Sequence, residues 1–133
     1  MESQNYRVLS CEGGDQVGKG DALNYLLERL VEENVDVVTS SFPIYATPVG
    51  NTIRVLLKEG REQFNLSPRE ELEVKMSLFA LNRLEFLEVF LSEDISEEAL
   101  VLFDRSAFSN ALTIAYAMKE IPEINEKDVA RLV

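Results

Sequence analysis

The stretch with the clearest chemical potential is glycine-rich and contains one lysine: residues 11–21, CEGGDQVGKGD. Its spacing satisfies G-x-x-x-x-G-K, in which successive backbone N–H groups surround a phosphate and the lysine reaches the outer phosphates. A β-prone run precedes the stretch and a helical run follows it, so the helix N-terminus would add its partial positive charge. The residues predicted to bind phosphate are Gly13, Gly14, Gln16, Val17, Gly18, Lys19, Gly20 and Asp21. A tight strand-to-helix connection without a ligand is the alternative.

The end of this loop departs from the usual motif. The position after the lysine normally carries a hydroxyl that ligates Mg²⁺, whereas here Gly20 and then Asp21 follow Lys19. A negatively charged side chain in the first turn of a helix interacts favourably with the helix dipole. The same charge would repel a bound phosphate unless a metal ion or an arginine offsets it. The loop therefore predicts phosphate binding but leaves the role of Asp21 open.

Composition limits the classes of partner. The chain has 133 residues, 46% hydrophobic and 28% charged, which predicts one globular domain over residues 1–133. Its formal net charge of -11 argues against binding a nucleic-acid polymer, because such binding requires basic residues that release counterions. A small polyanion such as a nucleotide would need a locally gathered group of Lys and Arg.

Cysteine and histidine usage points to a reducing compartment. The single Cys11 cannot form an internal disulfide, and the absence of histidine excludes a Cys/His metal site. The N-terminus shows no signal-peptide pattern, and no apolar run approaches the roughly 20 residues of a membrane span. The sequence therefore predicts a cytoplasmic protein without membrane contact.

The elements that must position the loop follow an α/β order. Apolar or β-prone runs predict strands at residues 6–11, 35–40 and 99–104, and a helical leucine pattern begins at Asp21. Helical segments separate the three strands. This order predicts a parallel sheet flanked by helices, with right-handed crossovers.

A long helix is predicted over residues 67–91. Ser67, Pro68 and Glu70 fit an N-cap, a first helical position and a capping box. The helix is apolar over a wide surface, which suggests burial on two sides, including against another subunit. Arg83 interrupts the apolar stripe four residues after Phe79. A last helix beginning near residue 125 has no stop signal, so we expect the chain to be part of a longer protein.

Four blocks together resemble the thymidylate kinase family. They are the loop at 12–20, FPIYATPVGNTIRVLL at 42–57, LFALNR at 78–83 and LFDRSAFSNA at 102–111. Their order and approximate spacing match that family across essentially the whole chain. The resemblance implies a three-layer P-loop NTPase fold and transfer of the ATP γ-phosphoryl group, with Mg²⁺, to dTMP or a related nucleoside monophosphate.

The resemblance also implies a boundary and a strand order. Residues 1–133 would form the N-terminal part of a single P-loop kinase domain, without the lid and the last strands. The first strand would pair with the third and would lie next to a fourth strand. The long helix would form a homodimer.

The resemblance assigns roles to individual side chains. Catalysis would use Lys19, Asp15 and Arg105, and Asp104 would organise Mg²⁺, either directly or through water. In the acceptor site, Phe79 would stack on the base and Arg83 would hydrogen-bond the edge of the base. The complete acceptor site would consist of Asp15, Phe42, Pro43, Arg54, Phe79, Arg83, Arg105 and Asn110.

Several of these residues have simpler alternatives. Arg83 could snorkel over a core phenylalanine, and Asp104 with Arg105 could form an ion pair at a strand end. Arg54 could equally lie on the surface of a helix.

Two further positions differ from the family pattern. Tyr45 lies where many members carry an arginine for the acceptor phosphate. Ser106 replaces an aromatic residue that helps to exclude a ribose 2′-hydroxyl. Two other functions therefore remain open: a non-catalytic nucleotide-binding module with a degenerate loop, and a kinase for a different nucleoside monophosphate.

Overall fold

Three parallel strands form the sheet in a computed structural model that describes residues 6–14 and 16–132. They are β1 (Arg7–Cys11), β2 (Val37–Ser41) and β3 (Leu100–Asp104). The strand order is β1-β3-β2, and the register aligns Cys11 and Ser41 with Asp104. All three strands therefore end at the same edge of the sheet, which is where parallel α/β sheets bind their ligands.

The three strands agree with the sequence predictions, with small shifts. β2 begins two residues later than predicted, because the Val35 N–H donates to the Leu30 carbonyl at 2.9 Å and closes the preceding helix. The central strand is the best buried, with Val101 and Leu102 at 1% and 0% exposure. β1 pairs with β3, as the resemblance implies, and lies at the edge of the described sheet.

Five helices complete the described fold. Their bounds are α1 (Lys19–Glu32), α2 (Pro48–Gln63), α3 (Pro68–Ser92), α4 (Phe108–Glu120) and α5 (Glu126–Leu132). Gly60 interrupts α2 with φ 73° and ψ -179°, a conformation that favours glycine. Within the described ranges, no helix has both the length and the apolarity that a bilayer span requires.

The start of α3 confirms the predicted capping box. The Ser67 side chain accepts from the Glu70 N–H at 3.2 Å, and the Glu70 carboxylate accepts from the Ser67 N–H at 2.8 Å. These two bonds satisfy backbone donors that would otherwise lack partners at the helix end. The helix that carries Phe79 and Arg83 therefore starts at a defined residue.

Two apolar groups hold the layers together. Leu72 and Met76 of α3 pack with Ile114 and Ile124, which joins α3 to α4 and to the segment before α5. Four rings, Phe42, Phe86, Phe90 and Phe103, form the second group, with the centroids of contacting rings 5.3–5.5 Å apart. The confirmed fold class is thus α/β, a parallel sheet flanked by helices.

Charged side chains fasten α5 to α3 and make stability depend on pH. Arg69 and Arg131 both contact Asp128, at 2.8 and 3.2 Å, and Arg131 also contacts Glu73 at 2.7 Å. The Asn125 N–H is the largest cause that lowers the pKa of Asp128, and Arg131 is the largest for Glu73. A carboxyl group whose pKa is lowered by folding stabilises the native state at pH values above the ordinary pKa of that group.

We therefore expect stability to fall as the pH drops below the ordinary carboxyl range toward these lowered pKa values. Urea unfolding measured between pH 7 and pH 3 would show this loss. Asp128→Asn keeps an oxygen for the Asn125 N–H but removes the charge, so it should flatten part of the pH dependence. A variant with the full pH dependence of the native chain would contradict this assignment.

Candidate functional site

Two cavities open at the carboxyl edge of the sheet. The loop cavity is lined by Gly14, Gln16, Gly18, Lys19, Gly20, Asp21 and Arg105. The ring cavity is lined by Phe42, Pro43, Tyr45, Leu57, Phe79, Arg83, Arg105, Ser106, Ser109, Asn110 and Thr113. Arg105 is the one lining residue that the two cavities share within the described ranges.

The glycine-rich loop leads into α1 through a left-handed residue. Gly18 is the N-cap of α1 with φ 86°, and its carbonyl accepts from the Ala22 N–H at 3.1 Å. Glycine adopts a positive φ without steric cost, which explains why the last glycine of the motif lies at this position. The structure places the predicted residues Gly14, Gln16, Gly18, Lys19, Gly20 and Asp21 around one cavity. Asp15 lies outside the described residues.

Lys19 and Asp104 meet at the end of the sheet. The Lys19 ammonium forms an ion pair with Asp104 Oδ1, and the two side chains are only 12% and 26% exposed. The Ser41 hydroxyl donates to Asp104 Oδ2 at 3.3 Å. The sheet register, which aligns Ser41 with Asp104, creates this contact. The predicted lysine and the predicted metal-organising carboxylate are therefore neighbours.

The side chains at this edge of the sheet suit Mg²⁺, which needs few protein ligands, better than a metal ion held entirely by protein ligands. Among the described residues, no group of three or more His, Cys, Asp or Glu side chains could hold a metal ion. Mg²⁺ is usually held by one or two carboxylates, several waters and the phosphates of a substrate. One carboxylate, Asp104, beside the glycine-rich loop is compatible with that requirement.

Arg105 has an unusual backbone conformation. Its φ is 71°, a region that non-glycine residues seldom adopt, and its N–H donates to the Cys11 carbonyl at 2.9 Å. Such conformations are held by the surrounding structure and are enriched at functional sites. The bond to Cys11 fixes the residue just beyond β3, where its side chain lines both cavities.

The two unusual residues after Lys19 occupy the loop cavity. Asp21 lies in the first turn of α1 and lines this cavity. A Cβ atom placed on Gly20 would meet no atom within 4 Å. The space around the loop would therefore accommodate a larger side chain at position 20. The glycine removes the hydroxyl of the usual motif without a packing reason for doing so.

The lining of the ring cavity combines an aromatic ring with buried polar groups. Asn110 is 1% exposed, and its Oδ1 accepts from Arg83 Nη1 at a long 3.4 Å. Its Nδ2 is buried without a hydrogen-bond partner among the described residues. A buried donor without a partner is costly, so this N–H group favours a ligand with an acceptor atom.

Arg83 lies beside Asn110 in the lining of the same cavity. Burial lowers the pKa of its guanidinium group, and the nearby Glu12 carboxylate partly counteracts this. Arginine remains charged at neutral pH even so. The arginine that interrupts the apolar stripe of α3 therefore presents a charged donor to the cavity beside Phe79.

Sequence reasoning missed two residues that hold one wall of this cavity. Asn82 is fully buried; its Oδ1 accepts from the Ile44 N–H at 2.7 Å, and its Nδ2 donates to the Ile44 carbonyl at 3.0 Å. The Glu85 carboxylate accepts from the Thr47 hydroxyl at 2.6 Å, which lowers its pKa. These bonds tie the segment 42–47 to α3. The available signal was an asparagine within the apolar stripe of LFALNR.

Arg54 does not line either cavity among the described residues. Its Nη2 donates to the Tyr45 carbonyl at 2.9 Å, and its guanidinium lies 5.8 Å from the Tyr45 ring centroid. Tyr45 itself lines the ring cavity. Arg54 thus supports a cavity residue from outside and is exposed to solvent.

Glu12 is the third residue that sequence reasoning missed. Its Oε1 accepts from the Ser106 hydroxyl and its Oε2 from the Ser109 hydroxyl. Both serines line the ring cavity between Arg105 and Asn110 in the chain. The residue immediately after β1 therefore controls two hydroxyl groups in the cavity wall.

Comparison with known proteins gives one consistent result. A family model described as thymidylate kinase matches residues 11–126. A thymidylate kinase from Exiguobacterium is 30% identical over 122 residues, covering 89% of this chain and 55% of the relative. One from Schizosaccharomyces pombe is 30% identical over 110 residues, covering 82% of this chain and 49% of the relative. The chain thus spans about half the length of these curated relatives.

A solved structure agrees on the fold. The chain superposes on a thymidylate kinase from Candida albicans with a TM-score of 0.63 at 23% identity. The match covers 94% of this chain and 49% of that chain. This similarity supports a P-loop NTPase fold for the sheet and its helices.

Proposed function

The chain belongs to the thymidylate kinase family, and from that membership we propose transfer of the ATP γ-phosphoryl group to dTMP or a related nucleoside monophosphate. The observation that carries this proposal is the position of Arg105 between the two cavities. A phosphoryl group that moves from a donor to an acceptor needs positive charge at the junction of their sites. Arg105 meets that need from a fixed backbone position.

ATP would place its phosphates in the loop cavity. Backbone N–H groups of the glycine-rich loop and the Lys19 ammonium would bind them, and Arg105 would reach the transferred group. When bound, Mg²⁺ would neutralise phosphate charge at Asp104. Lys19 and Asp104 form an ion pair here, so the Lys19 ammonium would exchange a carboxylate for phosphate oxygens on nucleotide binding.

The acceptor would occupy the ring cavity with its phosphate toward Arg105 and its base toward Asn110. Phe79 would stack on the base, and Arg83 and Asn110 Nδ2 would donate to acceptor atoms at its edge. The carbonyl oxygens of thymine supply such atoms, which supports dTMP. The acceptor phosphate is a nucleophile at neutral pH, so the protein need only position it and stabilise charge.

The loop cavity also favours a second candidate function, a non-catalytic nucleotide-binding module. Asp21 adds a negative charge to the cavity wall, and Gly20 supplies no hydroxyl for Mg²⁺. Both features weaken metal-assisted transfer while leaving the glycine-rich loop intact. In the ring cavity, Tyr45 and Ser106 favour a third candidate, a kinase for a different monophosphate.

Phe79→Leu tests the acceptor assignment. The substitution removes the ring face but keeps apolar volume against the core cluster that Phe79 contacts. Loss of stacking should weaken dTMP binding about tenfold, since stacking of a base on an aromatic ring contributes about 1–3 kcal/mol. Calorimetry should show unchanged ATP binding, and Phe64→Leu, at an exposed ring, is the matched control. Equal loss of both ligands would contradict this assignment.

We further propose that the protein forms a homodimer through α3. The helix exposes several large apolar side chains, which is costly on a free surface: Val74, Leu81, Leu84, Leu87 and Val89. The residues Phe79 and Arg83 lie on the same helix, so a partner packed on α3 would also brace the acceptor site.

Leu84→Glu should convert the dimer to monomers, because it places a charge among buried apolar side chains of the interface. Sedimentation velocity at micromolar concentration measures the change directly. Val31→Glu is the matched control, since Val31 is an exposed apolar residue on α1 and is 67% exposed. A native protein that sediments as a monomer would contradict the dimer.

A further inference from the structure

Arg105 is one of two cavity residues whose backbone has an unfavourable conformation. Four described residues other than glycine have a positive φ: Gln16, Asn34, Asn65 and Arg105. Asparagine is several-fold enriched in this region, whereas arginine is not. Gln16 and Arg105 both line the loop cavity. A strained conformation persists only where the surrounding structure holds it, so the contacts that hold Arg105 bear on the function of the cavities.

Two consecutive residues at the end of β1 hold two consecutive residues at the end of β3. The register aligns Cys11 with Asp104, so Glu12 follows β1 at the same edge of the sheet where Arg105 follows β3. The Cys11 carbonyl accepts from the Arg105 N–H at 2.9 Å. Glu12 Oε1 accepts from the hydroxyl of Ser106, the next residue along the chain. Arg105 is therefore held through its own backbone and through its neighbour.

Glu12 also fastens the far end of the turn that follows Arg105. Its Oε2 accepts from the hydroxyl of Ser109, in the first turn of α4. Within the turn, Ser106 Oγ accepts from the Phe108 N–H at 3.3 Å, and the Ser106 carbonyl accepts from the Ser109 N–H at 3.1 Å. One carboxylate thus links the residue next to Arg105 with the start of α4.

We propose that Glu12 is a positioning residue, which holds the turn at residues 105–109 in the conformation that places Arg105 between the two cavities. The inference rests on the proposed function for the reaction that Arg105 serves. Among the described residues that line the two cavities, Glu12 does not occur, so it would act through Arg105 rather than on a nucleotide. Both of its oxygens are needed, because each accepts from one serine.

Amide hydrogen exchange, measured by NMR on the full chain without ligand, tests this role directly. In Glu12→Gln the side-chain amide has one acceptor oxygen, so at least one serine loses its acceptor. Exchange of the Arg105 N–H should become about tenfold faster, which is the size expected when a hydrogen bond to a charged group is lost. Exchange at Val101 and Leu102, in the buried strand β3, should change less than about twofold.

Two further variants complete the exchange measurement. Ser106→Ala with Ser109→Ala removes both hydroxyls and should give the same local acceleration at Arg105. Glu32→Gln removes an exposed carboxylate of α1 and should leave exchange at Arg105 unchanged. Unchanged exchange at Arg105 in Glu12→Gln would overturn the proposal. Equal acceleration throughout β3 would also overturn it, because that result indicates a general loss of stability.

A double-mutant cycle shows whether Glu12 acts through Arg105 in the reaction. Glu12→Gln should lower kcat about tenfold without changing the Kd for ATP, because a small misplacement of a group that contacts the transition state is costly. In the Arg105→Ala background the same substitution should change kcat less than about twofold.

The cycle also separates this route from one through Arg83. Burial lowers the pKa of Arg83 and the Glu12 charge partly counteracts this, so the two side chains influence each other. An effect through Arg83 would persist when Arg105 is absent. An equal loss of kcat in both backgrounds would therefore overturn the proposal, and so would an unchanged kcat in Glu12→Gln alone.

Failure of the proposed function is a separate observation. A native chain that forms no diphosphate would remove the kinase, and the exchange measurement would still decide whether Glu12 holds Arg105. Turnover by the native chain, with unchanged exchange at Arg105 in Glu12→Gln, would leave the kinase and remove the positioning role.

Discussion

Arg105→Ala should lower kcat for phosphoryl transfer by about 10³-fold, because an arginine that stabilises the charge of the transition state contributes at least that much. The residue borders both cavities, so its loss removes positive charge from the junction where the phosphoryl group moves. The Kd for ATP should change much less, since the glycine-rich loop and Lys19 remain. Coupled ADP-release kinetics and calorimetry measure these two quantities.

Two variants control this result. Arg29→Ala removes an exposed arginine of α1 that pairs with Glu32, outside both cavities, and should leave kcat unchanged. Arg105→Lys keeps the charge but not the planar fork that binds two phosphate oxygens, so its kcat should lie between those of the native chain and Arg105→Ala. A loss of less than about tenfold in Arg105→Ala would show that the residue does not act at the junction.

Gly50→Ala should destabilise the fold by about 3 kcal/mol or more, at the upper end of the range for overpacked sites. A Cβ atom on Gly50 would lie 1.7 Å from the Ile44 carbonyl oxygen, so the backbone itself must move. The same carbonyl accepts hydrogen bonds from Asn82 and from Thr47. The substitution therefore disrupts the segment that carries Pro43 and Tyr45 into the ring cavity.

Urea unfolding measures this loss, and Gly20→Ala is the matched control. Gly20 is also in a helix, but its added Cβ would meet no atom within 4 Å. Replacing glycine by alanine inside a helix is otherwise favourable by about 0.5–1 kcal/mol, so Gly20→Ala should be neutral or stabilising. Equal effects of the two substitutions would show that crowding at Gly50 is not the cause.

The sequence predicted those parts of the fold that depend on local patterns. The three strands were visible as apolar runs, and the start of α3 as a capping box, since both signals lie within a few adjacent residues. The glycine-rich loop and Lys19 were recognisable because phosphate binding by backbone N–H groups requires a fixed spacing. The site assignments from the four blocks stay predictions, but the structure brings most of those side chains to two adjoining cavities.

Long-range contacts could not be predicted in the same way. Asn82 meets Ile44 and Glu12 meets Ser106 across separations of 38 and 94 positions in the chain. No local sequence pattern predicts such a contact, because the partners meet only when α3 and α4 pack on the sheet. The sequence also left open whether Asp21 faces the phosphate site, and the structure places it in the wall of the loop cavity.

The central claim is transfer between the two cavities, and product analysis tests it most directly. The full chain is incubated with ATP, Mg²⁺ and each nucleoside monophosphate, and ADP and the new diphosphate are separated by chromatography. We predict equal amounts of ADP and dTDP when dTMP is the acceptor. Measurable ATP binding with no diphosphate from any acceptor would contradict the kinase and favour the non-catalytic nucleotide-binding module.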